Sequence, residues 1–136
     1  MTVYEPLPLH ELASLLRDET GDFHRQWRLV MEFLELFRHE PGEVCQRLID
    51  VEPAGVDARW DAFLGGLAEF VAERDGLIVP AWALQPERCL AHRWFIVETS
   101  LPDRDTLPIR QLALVSCPEP FRSRGVFLEP QDLEVA

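Results

Sequence analysis

The sequence has 136 residues, is 47% hydrophobic and holds four Trp and eight Phe, enough for one domain to close a core without disulfides or metal. Its formal net charge is −11, and all thirteen basic residues are Arg. Such a surface repels phosphate backbones, so the charge argues against nucleic-acid binding and for a basic protein partner or plain solubility.

Residues 1–8 read as extended, because Pro6 and Pro8 restrict their predecessors. The amino terminus has neither the basic region nor the apolar run of a signal peptide, and no stretch approaches the roughly 20 apolar residues of a membrane helix. A first helix is expected over 9–19, with Leu9, Leu12, Ala13 and Leu16 on one face. Asp22 can cap the next helix, 23–40, whose stripe is Phe23, Trp27, Val30, Leu34 and Phe37. A short helix over 43–49 carries Val44 and Leu48. Asp57 is placed to cap a second strong helix, 58–75, with Trp60, Phe63, Leu64, Leu67, Phe70 and Val71 as its stripe. Gly65-Gly66 inside it costs about 1 kcal/mol per Gly relative to Ala, the usual sign of another element packed close. Gly76 is the natural stop.

The last third is less regular. Residues 77–80 suit an extended piece and 86–91 a turn of helix. Segment 93–99 fits a strand or a helix equally well. Thr106 is placed to cap a helix over 107–117, ended by Pro118 and Pro120. Residues 126–128 form a candidate strand. There is no internal repeat and no linker, so residues 1–136 are expected to form a single domain.

Chemistry-bearing patterns are sparse. Cys45, Cys89 and Cys117 form no Cys-x-x-Cys pair and read as free thiols of a reducing cytosol, which makes the expected location cytoplasmic. His10, Glu11, His24 and His39-Glu40 lack the spacing that puts two His on one helical face, so no metal is expected. No Ser sits in a nucleophile elbow. Cys89 and His92 would meet on one side only within a helix. Asp18, Glu19 and Asp22, like Asp103 and Asp105, fit solvated faces or caps better than an acid/base pair. The reading is therefore non-catalytic, with no cofactor. Trp27 and Trp60 belong to the core by their stripe positions. Of Trp82 and Trp94, one left partly exposed beside Arg would have the composition of an interface hot spot.

Three segments carry a family resemblance: Arg59-Trp60-Asp61-Ala62-Phe63-Leu64-Gly65-Gly66-Leu67-Ala68-Glu69, Arg93-Trp94-Phe95, and Pro120-Phe121-Arg122-Ser123-Arg124-Gly125-Val126-Phe127-Leu128. In this order they resemble an uncharacterised actinobacterial antitoxin-like family found beside nucleotidyltransferase-like toxins. The resemblance covers about residues 9–136. Some members carry a helix-turn-helix domain in front. This chain begins at the helical region and lacks room for such a domain, a departure from those members that counts against an expected DNA-binding role. It implies an antitoxin-like partner that binds and masks a nucleotidyltransferase-type protein.

The expected fold is all-α or mostly α, a compact domain of four to six helices with room for one small C-terminal strand pair. The helices over 23–40 and 58–75 are expected to pack antiparallel through their stripes. The expected function is a non-catalytic protein-interaction module. The alternatives are a small-molecule enzyme of unknown class and a regulatory adaptor of transcription machinery. The last third combines irregular backbone, aromatics and Arg, the composition of an interface core. The candidate partner-binding residues are accordingly Trp94, Phe95, Phe121, Arg122, Arg124 and Phe127.

Overall fold

The computed structural model describes residues 6–134, so the extended reading of residues 1–8 lies largely outside it. The described chain is mostly helical. Its α-helices are α1 (Leu9–Asp18), α2 (Phe23–Phe37), α3 (Gly42–Asp50), α4 (Ala58–Asp75), α5 (Ile96–Ser100), α6 (Leu107–Ser116) and α7 (Glu119–Arg122), of which α5 and α7 are single turns. Two-residue strands β1 (Trp94–Phe95) and β2 (Val126–Phe127) pair in parallel, Trp94 opposite Val126 and Phe95 opposite Phe127. A parallel pair needs a crossover, and α5, α6 and α7 supply it.

The helix boundaries follow local chemistry. The Asp22 carboxylate accepts from the Arg25 N–H at 3.2 Å, and Asp57 from the Trp60 N–H at 2.8 Å. Gly76 closes α4 with φ +70°, a left-handed conformation that favours Gly. The second helix ends at Phe37, where its stripe ends and three residues short of the expected boundary at residue 40. The carbonyls of Phe37 and Glu40 instead receive the Cys45 thiol, each at 3.4 Å. Segment 93–99 is neither all strand nor all helix: β1 runs straight into α5.

Helix α4 is the centre of the fold, with α3, α7, β2 and the two 3-10 turns Ala81–Leu84 and Pro86–Arg88 packed against it. Its predicted stripe is only part of its buried surface. Ala62, Gly65, Gly66 and Ala68 are buried too, so over this stretch the helix is covered all round. The small side chains admit the C-terminal third. A Cβ on Gly66 would sit 2.7 Å from the Phe121 ring and 3.2 Å from the Pro120 carbonyl oxygen.

The stripes of α2 and α4 do meet, but not antiparallel. Phe23 stacks on Trp60 with ring centroids 6.1 Å apart, and Trp27 meets Phe63 edge-on at 5.6 Å. These contacts ascend together along both helices, so α2 and α4 run in the same sense. Helix α3 carries the chain back between them. Trp60 is 3% exposed, as its stripe position requires, whereas Trp27 is only partly buried.

Two stability outcomes follow from this packing. Replacing Gly by Ala in a helix ordinarily stabilises by about 1 kcal/mol. Gly66→Ala should instead cost roughly 1–3 kcal/mol in denaturant unfolding, because the Phe121 ring must move; a gain would mean that Phe121 is not seated there. Trp60→Ala should cost roughly 3–5 kcal/mol and Trp27→Ala clearly less.

Candidate functional site

Four of the six partner-binding residues expected from sequence are buried within the chain's own core. Trp94 is 3% exposed, Phe121 0%, Arg124 4% and Phe127 6%. The Trp94 indole N–H donates to Thr99 Oγ1 at 2.9 Å, and its ring meets Trp60 edge-on at 5.5 Å. Phe121 lies over Gly66 between Phe63 and Phe70. Phe127 stacks on Phe95, which is half-buried. These side chains are consumed in joining the last third to α4 and leave no contact surface. Trp82 is buried as well, its indole N–H donating to the Ile49 carbonyl at 2.9 Å, so neither late Trp is the exposed one.

The arginines separate in the same way. Arg124 pairs with Glu69 at 3.0 Å and donates to the Pro120 and Ala83 carbonyl oxygens. Arg88, also buried, lies over the Trp82 ring at 4.6 Å and donates to the carbonyl oxygens of Asp61 and Pro53. Burial lowers the Arg88 pKa, and Asp61 and Glu52 act against that shift. Both arginine stems cross Gly65, where a Cβ would lie 3.0 Å from Arg124 Nε and 3.1 Å from Arg88 Cδ. Arg122, by contrast, is exposed. It donates to the Cys117 carbonyl at 2.9 Å and the Val115 carbonyl at 3.3 Å, closing the C-terminal end of α6.

Cys89 and His92 do not share a helical face. The 3-10 turn ends at Arg88, and Cys89 is extended at φ −111°, ψ 133°. Burial pushes the thiol pKa of Cys45 and Cys117 up, away from the nucleophilic thiolate. Among the described residues no three of His, Cys, Asp and Glu gather to hold a metal ion, and no helix is long and apolar enough to cross a membrane.

The surface feature that stands out is α6. Thr106, Ala113 and Cys117 are buried and Arg110 half-buried, at spacings that place all four on one side of the helix. That inward side is small or polar. The large apolar side chains point outward: Val115 is 83% exposed, Leu112 60% and Leu107 49%, with Leu114 and Ile109 also open. Thr106 precedes the helix but makes no side-chain cap; the Leu107 N–H donates to the Asp105 carboxylate at 3.1 Å instead. Beside α6 opens a cleft of about 500 Å³, into which Ile109 and Leu112 project with Ile96, Val97 and Leu101. Phe23 and Trp27 of α2 line it too, and Glu129, Gln131 and Asp132 form one edge. This surface was not among the expected site residues, although a helix reading Leu-Pro-Ile-Arg-Gln-Leu-Ala-Leu-Val-Ser, apolar over most of its circumference, was the signal.

No family model, no curated protein sequence and no solved structure matches the chain. The fold and this surface therefore define it as a small, mostly α-helical domain bearing an open apolar helix.

Two measurements check the site's anatomy. Arg124→Met should cost roughly 3–5 kcal/mol because it breaks a buried pair and orphans two carbonyls, whereas Arg122→Glu should change stability by less than about 1 kcal/mol. Under native conditions a disulfide reagent should modify Cys89 quickly and Cys45 and Cys117 only on unfolding, since Cys89 is the exposed thiol. Rapid reaction of all three would contradict the burial of the other two.

Proposed function

We propose that this chain is a non-catalytic protein-binding module that docks its partner on α6 and the adjoining cleft. The observation that supports this reading is the outward turn of Leu107, Ile109, Leu112, Leu114 and Val115 from one short helix. Scattered surface apolars are ordinary, but a contiguous apolar face on one element marks an interaction site. Covering Leu112 and Val115 would supply on the order of 1–2 kcal/mol each, which makes them the natural anchors.

The family resemblance supplies the partner class, an antitoxin-like role masking a nucleotidyltransferase-type protein. Such a partner presents a positive site to phosphates, and a chain of net charge −11 complements it and speeds encounter. The reducing cytoplasm is the compartment that the free thiols suit.

The test is copurification from native cells with the partner identified by mass spectrometry, followed by Leu112→Glu with Val115→Glu. Both positions are exposed, so the double variant should melt within a few degrees of the native chain while binding its partner at least tenfold more weakly. If it folds and keeps full affinity, the docking surface lies elsewhere. A copurified partner of another class would set the nucleotidyltransferase assignment aside and leave the α6 assignment standing.

A further inference from the structure

The cleft beside α6 has apolar walls and an acidic edge that no basic residue balances. Ile109 and Leu112 face it from α6, and Trp27 and Ile96 line it too. Glu129 precedes the 3-10 turn Pro130–Leu133 and Asp132 lies within it, along the cleft's edge. The turn fixes their carboxylates: Asp132 accepts from the Glu129 N–H at 3.0 Å, and Glu129 accepts from the Gln131 amide at 2.6 Å. Neither forms an ion pair with a described Arg or His, and the Arg110 of α6 is paired with Glu98 at 3.3 Å. The cleft lining contains no basic residue.

Resting on the reading of α6 as a docking surface, we propose that the occupant is an amphipathic helix of the partner protein. Apolar anchors at positions i, i+3 or i+4, and i+7 lie along α6 and in the cleft. Lys or Arg on its flank meets Glu129 and Asp132. The ten residues of α6 span about 15 Å, the length of nearly three turns of a partner helix. Strand addition has little to build on, because β1 and β2 are two residues each. A second copy of this chain brings another −11 and its own acidic edge, and an anionic lipid surface is repelled for the same reason. A cationic helix satisfies the apolar face and the unpaired carboxylates together.

The probe is a synthetic 18-residue peptide with Leu at helical spacing and Lys on one flank. Two controls accompany it: a scrambled peptide of the same composition, and one with Glu in place of Lys. Binding to the full chain is followed by backbone amide NMR. The Lys peptide should shift resonances around Ile96, Ile109, Leu112 and Gln131 and bind at least tenfold more tightly than either control. Glu129→Gln with Asp132→Asn, which keeps the hydrogen-bonding turn, should remove most of that preference. Equal binding of the scrambled peptide would reduce the effect to bulk charge and overturn the proposal. So would equal binding of the Glu peptide, no binding of the Lys peptide, or a dimer in sedimentation that Leu112→Glu dissociates. The α6 assignment is judged separately, by whether Leu112→Glu with Val115→Glu releases the copurified partner, so the helix proposal can fail while the docking surface stands.

Discussion

Two absent side chains set the terms for the second half of this molecule. At Gly65 and Gly66 the surface of α4 is bare backbone, and Phe121, Arg124 and Arg88 come down onto it at distances a Cβ would forbid. Because the ring of Phe121 rests against the bare backbone of the helix there, α7 and β2 can lie flat on α4, and β1 follows by pairing with β2. The arginines then do for irregular backbone what a sheet ladder does for strands. Arg124 gathers the carbonyls of Pro120 in α7 and Ala83 in the Ala81–Leu84 turn, and Arg88 those of Asp61 in the first turn of α4 and Pro53 in the loop before it. A segment with little regular structure must satisfy its carbonyls somehow, and a five-donor guanidinium is an economical means.

That arrangement explains what the sequence did and did not disclose. The first two-thirds were legible because local rules sufficed there. The 3.6-residue stripes placed Leu9, Leu12, Leu16, Val30, Leu34 and Trp60 in the core, and Asp22, Asp57 and Gly76 marked helix ends. Gly65-Gly66 announced that something packs close, without saying what. The relative direction of α2 and α4 was not legible, because a stripe shows which face is buried and says nothing of the sense in which a neighbour runs. Nor were the roles of Arg88 and Arg124. An Arg beside aromatics has the composition of an interface and equally of a buried staple, and only the crossing over Gly65 distinguishes them. Trp94, Phe121 and Phe127 were drawn from the same ambiguity, so the expected site was a description of the core's far side.

Interface and core are built from the same residues. What separates them is whether the chain has already covered them. Each aromatic of the last third finds a partner inside the molecule: Trp94 meets Trp60, Phe121 meets Phe63, and Phe127 meets Phe95. After β1 the exposed large apolar side chains fall on α6, which has no aromatic. Its inward side is made of Thr106, Ala113 and Cys117 with the half-buried Arg110, so the helix lies close to β2 through small or polar groups and leaves its Leu, Ile and Val unused.

A helix oriented this way faces two physical problems with one remedy. Its outward Leu112 and Val115 favour association with any apolar surface, and copies of the chain are the nearest such surface. A net charge of −11 opposes that encounter, and the unpaired Glu129 and Asp132 put part of the charge at the edge of the cleft itself. Under the proposed function, the same field that holds like copies apart would draw a basic partner in, so discouraging the wrong contact and favouring the right one would require no separate features. In the proposed reading, the acidity noted first in the composition is therefore the counterpart of α6: the helix supplies the adhesion and the charge decides what adheres.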